Sequence, residues 1–319
     1  MKWAIAGYGD IVTRRVLPAL HALGEEPVAL WGRDPDRAAR TARRHAVAAS
    51  GDDPGLLLSS GADAVYVATP VVHHVPFARA VLAAGLPVLV EKPLAGTLAD
   101  GGPVDGAGPC AGVAYYRRLA PAVRRLRQEL AGWTPDRVDV RFRCAFAPAP
   151  GAPMAWRTDP ALSGGGVLAD AGSHRVDLLL HLFGRPREMT ARLGRRFPRG
   201  AERQAELVLR WASGLRAHCL LEWGEGPPLD RFRLSGGGRT VLLDPLDSGH
   251  VEGLAGTPYP LRMPPADNPH QPLLADFAAA VASGTAPVCP VAEAALVDDV
   301  IVAAVRSDAA GGRPVRPWG

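Results

Sequence analysis

The chain has 319 residues, 47% of them hydrophobic and 21% charged, and a formal net charge of +4. That length exceeds the usual single core and the composition excludes a disordered or fibrous chain, so two folded domains are expected. No run approaches the ~18 apolar residues of a spanning helix, and the arginines are dispersed in pairs such as Arg14 and Arg15 or Arg195 and Arg196. Neither a membrane nor a nucleic acid is therefore expected as a partner.

The opening residues, MKWAIAGYG, read as a strand over 3–6 that runs into a glycine turn, and no cleaved leader is expected. A helix follows over VTRRVLPALHAL and ends at Gly24. PVALWG (27–32) is a second strand, after which Asp34 is placed to cap the helix PDRAARTARRHA. ADAVYVATP, VPFARAVLAAG and PVLVEKP continue as strand, helix and strand. This alternation implies parallel strands joined by right-handed crossovers, a doubly wound nucleotide-binding domain.

Residues 98–112 are too rich in Gly and Pro for a helix and lead to a short strand, VAYY (113–116), and then to the helix PAVRRLRQELAG. Beyond it VDVRFRCAF, EMTARLGRRF, AELVLRWASG, LRAHCLLEW, RFRLSG and RTVLLD show partial alternation between turns, the pattern of a largely antiparallel sheet with one exposed face. A helix at about 163–183 interrupts the series, and two more, PLLADFAAAVASG and VAEAALVDDVIVAAVRS, close it. The expected fold is thus α/β: a doubly wound, parallel-sheet (Rossmann) domain over 1–118 and an α/β domain with a largely antiparallel sheet over 119–319; the family resemblance given below implies that this second sheet is open and that its domain serves substrate binding and oligomerisation. Cys110, Cys144, Cys219 and Cys289 stand far apart with no CxxC, so no metal site or redox pair is expected, and reduced thiols fit a cytoplasmic protein.

Gly7, Tyr8 and Gly9 lie after a strand and before a helix, where glycines let the backbone approach a dinucleotide pyrophosphate at the helix N-terminus. The third position of that fingerprint is Val12, where Gly or Ala is usual, so strand and helix should pack farther apart. At the end of the second strand, WGRDP puts Arg33 where an NAD-reading domain carries an acid, which favours the 2′-phosphate of NADP; Asp34 and Asp36 keep NAD as the alternative.

Of the 36 basic residues only Lys2 and Lys92 are lysines. Lys92 stands in VEKPLAG, and lysine, unlike arginine, can lose its proton near neutral pH. Asp170 and His174 are spaced i, i+4 on the expected helix and share one face, with Asp177 three residues further. Each also has a structural reading, as a satisfied helix histidine or a helix cap.

Two stretches, ATPVVHHVPFARAVLAAGLPVLVEKPLAG (68–96) and WRTDPALSGGGVLADAGSHRVDLLLHLFG (156–184), resemble the glucose-fructose oxidoreductase, inositol dehydrogenase and MocA family. With the N-terminal glycine turn and the closing GGRPV, the resemblance covers almost the whole chain. It implies Lys92, Asp170 and His174 as the catalytic group, His74 near the nicotinamide, and Pro93 as the proline of a cis bond. The implied cofactor contacts are Gly7, Tyr8, Gly9, Asp10, Ile11, Arg33, Thr69, Pro70, His74, Glu91, Lys92 and Pro93. Substrate candidates are Tyr115, Tyr116, Arg117, Trp156 and Arg157 beside Asp170 and His174; Arg157 serves either a phosphate-bearing substrate or a structural salt bridge. Tyr116 and Ala120 replace the Asn and His common in relatives, so the substrate contacts should be particular to this chain.

The implied activity is NADP(H)-dependent hydride transfer to or from a hydroxyl-bearing or keto carbon of a sugar, amino sugar or cyclitol, in a biosynthetic route, by a homodimer or homotetramer. Two alternatives stand beside it: a redox-neutral epimerase or glycosidase with tightly held NAD(P), and a non-catalytic dinucleotide sensor that binds a partner protein.

Overall fold

The computed structural model describes residues 1–98, 104, 110–257 and 259–318. Most of the Gly- and Pro-rich segment expected to lack a helix lies outside the described residues. Two compact units form: one comprises residues 1–95, 100–116 and 266–295, the other 96–99, 117–265 and 296–319. The segment 266–295, which a linear reading assigns to the later half, thus belongs with the N-terminal strands. Among the described residues no helix is long and apolar enough to cross a membrane.

The first unit holds a six-stranded, wholly parallel sheet of β1 (Lys2–Ala6), β2 (Glu26–Trp31), β3 (Ala49–Gly51), β4 (Ala64–Val67), β5 (Val88–Val90) and β6 (Ala111–Val113), in the order β3-β2-β1-β4-β5-β6. Its central strands are apolar on both faces and fully buried, as a parallel sheet covered by helices requires. Strand β6 starts two residues earlier than the VAYY reading and ends at Val113, beyond which the Tyr115 N–H turns back to donate to the Val113 carbonyl. The helix His270–Ser283 returns to this unit, where Phe277 packs against Trp3 at 5.7 Å between ring centroids.

The second unit contains β7 (Arg137–Cys144), β8 (Glu188–Arg196), β9 (Glu202–Arg210), β10 (Arg216–Trp223), β11 (Leu229–Gly236), β12 (Arg239–Leu243), β13 (His250–Glu252) and β14 (Leu261–Arg262). Their order is β14-β13-β12-β11-β7-β10-β9-β8, antiparallel throughout except between β7 and β10. Along β10 Ala217, Cys219, Leu221 and Trp223 are buried while the residues between them are partly exposed, the alternation of a sheet with one covered face.

The helix expected at 163–183 is assembled in pieces: a short turn over Pro160–Ser163, a π-helical stretch over Leu168–Gly172 and an α-helix over Ser173–Phe183. Glycines break the pattern between the first two, with φ of +69° at Gly164 and +136° at Gly165. The α-helical part is locked by Asp177, fully buried, whose carboxylate accepts from Arg118 Nε at 3.0 Å and Nη2 at 2.7 Å. Asp177 thus ties this helix to Arg118. Asp177→Ala deprives the buried guanidinium of its carboxylate and should cost about 3–5 kcal/mol, visible as a lower urea midpoint than that of the wild-type chain.

Candidate active site

The glycine turn is shaped by close backbone approach. Gly7 has φ +110°, and a Cβ there would lie 2.5 Å from the Ala68 carbonyl oxygen at the end of β4. Over Gly9 a Cβ would meet nothing within 4 Å. Thr69, next to Ala68, is buried, and its Oγ1 has no hydrogen-bond partner among the described residues. A bare glycine facing open space, a helix start beside it and an orphaned hydroxyl fit the phosphates and ring amide of a dinucleotide. Val12, at the third fingerprint position, is fully buried and opens a π-helical turn over Val12–Val16. Asp10 and Ile11 precede it, Asp10 exposed and within 4.0 Å of Arg14.

The end of β2 is organised around Tyr8. A Cβ on Gly32 would run into the Tyr8 ring, so only glycine fits there. The Tyr8 hydroxyl accepts from the Asp34 N–H at 3.1 Å, and the Arg37 guanidinium lies 4.7 Å from the Tyr8 ring centroid. The Asp34 carboxylate caps its helix by accepting from the Arg37 N–H at 2.9 Å. Arg33 and Arg37 are exposed beside it.

At the end of β5 the carboxylate of Glu91 is a buried junction. Its Oε1 accepts from the Tyr66 hydroxyl at 2.6 Å and from His270 Nε2 at 3.1 Å, while Oε2 accepts from the Lys92 N–H at 3.2 Å. Burial alone would raise its pKa, but the hydrogen bond and charge of His270, the Tyr66 hydroxyl and the Lys92 charge bring it down to about 2. The Tyr66 phenol moves the other way, raised by burial and by Glu91. The Lys92–Pro93 peptide is cis, as the family resemblance implied.

His74 is buried, and its two ring nitrogens lie 2.8 Å from the Pro93 carbonyl and 2.9 Å from the Thr69 carbonyl. It ties the turn after β4 to the turn after β5, and both nitrogens are engaged by backbone. Burial lowers its proton affinity, the two carbonyls and Glu91 raise it, and a neutral ring donates to only one of them. Neither His270 nor Tyr66 carries a signal in the sequence: Tyr66 reads as strand core, and 179 positions separate His270 from Glu91.

In the second unit the glycines before Asp170 are pinned by Glu202. Its carboxylate accepts from the Gly166 N–H at 2.8 Å and the Leu168 N–H at 3.0 Å, and a Cβ on Gly166 would run into the Glu202 backbone. Burial raises the Glu202 pKa in spite of those bonds. Asp170 accepts from Arg157 Nη1 at 3.0 Å, so the salt-bridge alternative for Arg157 is realised, with its guanidinium 5.5 Å from the Trp156 ring. His174 is buried one turn further on.

The other substrate candidates are divided between the two units. Arg117 is buried and paired with Asp247 through Nε at 2.8 Å and through Nη2. Tyr115 is fully buried in the first unit, and the Tyr116 ring packs 5.3 Å from that of His270. Also in the second unit, the Gly96 N–H donates to Asp298 Oδ1 at 2.8 Å and the Thr97 N–H to the Gly164 carbonyl at 2.9 Å.

A parallel sheet in the order 3-2-1-4-5-6 with a glycine turn after β1 is the architecture of a dinucleotide-binding domain. Residues 1–104 match the model for the oxidoreductase family with an NAD-binding Rossmann fold, and residues 126–241 match the GFO/IDH/MocA C-terminal domain. The chain belongs to this family. It is 30% identical over 222 residues to D-xylose 1-dehydrogenase (NADP(+)) 2 of Haloferax volcanii, covering 68% of each chain. It is 27% identical over 197 residues to Oxidoreductase P35 of Formosa agariphila, spanning 58% of this chain and 61% of that one. Levoglucosan dehydrogenase in complex with NADH has the same fold, with TM-score 0.85 over 99% of this chain and 98% of its own, at 19% identity.

Glu91 makes acid stability measurable. Its folded pKa of about 2 lies below the ordinary 4.5, so its contribution is fully present above pH 4.5 and is lost as pH falls toward 2. The expected loss is about 3 kcal/mol, and Glu91→Gln should flatten that part of the profile in thermal melts taken across the window.

Proposed function

We propose that the chain is an NADP(H)-dependent oxidoreductase acting on a hydroxyl-bearing or keto carbon of a sugar, amino sugar or cyclitol, with Lys92, Asp170 and His174 as its proton-handling group. The observation that carries the reading is the treatment of Lys92. A chain with two lysines keeps one immediately after a buried, ionised glutamate, in the unit that bears the dinucleotide turn.

Bound nicotinamide supplies the hydride acceptor or donor. Lys92 holds the proton at the substrate oxygen, giving it up in reduction and taking it in oxidation, which an arginine does not do near neutral pH. Asp170, its carboxylate fixed by Arg157, orients the neighbouring substrate hydroxyl, and His174 shares the proton transfer. Because Arg157 is committed to Asp170, a neutral polyol is favoured over a phosphate-bearing substrate. NADP is favoured over NAD because Gly32 offers no side chain, Asp34 is spent on its helix cap, and Arg33 and Arg37 remain as forks for a 2′-phosphate. The Haloferax relative is named for NADP(+).

Turnover followed at 340 nm with a panel of ketosugars and cyclitols tests the assignment. Lys92→Arg should lower kcat by at least about a hundredfold while the NADPH Kd stays within a factor of two or so of wild type; near-normal turnover would remove the proposed role. Replacing Arg33 and Arg37 together by Ala should weaken NADPH binding by roughly tenfold or more and leave NADH binding little changed, as read by quenching of intrinsic fluorescence.

A further inference from the structure

We propose that His270 is a positioning residue for the Lys92 turn and acts through the Glu91 carboxylate. The proposal rests on the reading of Lys92 given above. His270 opens the helix Ser283 closes, and its side chain is 3% exposed. Its Nε2 faces the same Glu91 oxygen that receives the Tyr66 hydroxyl. A carboxylate only accepts, so Nε2 carries the hydrogen. The other Glu91 oxygen receives the Lys92 N–H, so the rotation of this carboxylate and the orientation of the peptide that bears Lys92 are one variable.

His270 is itself held from several sides. Its own N–H donates to Asn268 Oδ1 at 3.2 Å, and Asn268 Nδ2 donates to the Arg15 carbonyl at 2.7 Å. Arg15 returns a bond from Nη1 to the Asp267 carbonyl at 3.1 Å. Arg15 lies on the helical turn that follows the glycine motif, so the brace runs from the dinucleotide-binding segment through Asn268 and His270 to Glu91 and Lys92. The Tyr116 ring closes one side of the imidazole.

Without the imidazole, Glu91 Oε1 keeps Tyr66 as its donor and loses the one supplied from the helix His270–Ser283. A buried carboxylate in that position turns toward the remaining donors, and the Lys92 backbone turns with it. Simple packing loss would destabilise the unit without any particular displacement of Lys92. The two roles therefore differ in what they do to one side chain.

The composition supplies a clean probe. Lysine labelled with ¹³C at the ε-carbon gives two resonances in this chain, from Lys2 and Lys92, and Lys92→Arg assigns them. At fixed pH, His270→Leu should displace the Lys92 resonance and leave that of Lys2 in place. His270→Gln, whose amide nitrogen reaches the same carboxylate oxygen, should return it to near its wild-type position. Phe277→Leu, a core change further along the same helix, should move neither. In turnover, His270→Leu should lower kcat by roughly ten- to a hundredfold with the NADPH Kd preserved, and His270→Gln should recover most of it.

A Lys92 resonance that coincides in wild type and folded His270→Leu would overturn the proposal. Should His270→Leu fail to fold, His270→Asn, a methylene shorter than Gln and out of reach of Glu91, provides the same contrast. A displaced resonance in a chain that turns over none of the sugars would leave the brace standing and sink the functional reading.

Discussion

Two buried glutamates hold the two motifs, and each does so by accepting from the backbone of the motif itself. Glu91 receives the Lys92 N–H, and Glu202 receives those of Gly166 and Leu168 just before Asp170. Burial penalises both carboxylates alike, yet their proton affinities move in opposite directions. The difference is the partner set. Glu91 has an imidazole, a phenol and a neighbouring ammonium, whereas Glu202 has mainly peptide N–H groups, whose dipoles offset less of the desolvation. The Lys92 turn is thus built on a fixed negative charge, and the Asp170 segment on a carboxylate held mainly by hydrogen bonds.

Glycine does the complementary work where chains approach too closely for a side chain. Gly7 lies against Ala68, Gly32 beneath the Tyr8 ring, Gly96 against Gly164, and Gly166 against Glu202. The Gly32 case carries chemistry as well as packing. With Tyr8 lying across the end of β2, a side chain at Gly32 would displace the ring, and Asp34 caps the helix that follows. Gly32 is thus bare beside Arg33 and Arg37, the arginines on which the NADP proposal rests.

Strand and helix alternation in the first 95 residues was legible because a parallel sheet buried on both faces writes long apolar runs. The cap at Asp34, the glycine turn and the antiparallel character of the second sheet were legible for similar local reasons. What escaped the sequence depends on contacts far apart in the chain. His270 follows Asn268 and Pro269 with no periodicity to mark it, and its partner is on β5's end. Glu202 begins a strand whose alternation makes it look like an outward polar residue. The Asp247 partner of Arg117 lies far along the chain as well, supplying the carboxylate that a buried guanidinium needs. The break of the expected 163–183 helix after Ser163 follows from Gly164 and Gly165, whose positive φ stops one helix before the π-helical stretch begins.

The near-absence of lysine sharpens the chemical argument. Four buried or half-buried cations of the second unit, Arg117, Arg118, Arg157 and Arg175, each face an aspartate, and a planar fork suits such sites because it can satisfy two carboxylate oxygens at once. If Lys92 served the same end, an arginine would do it as well and would match the rest of the chain. An ammonium differs from a guanidinium in being able to release its proton near neutral pH. Charge pairing alone therefore gives no reason to prefer lysine beside a glutamate held by His270 and Tyr66, whereas the proposed proton-handling role does.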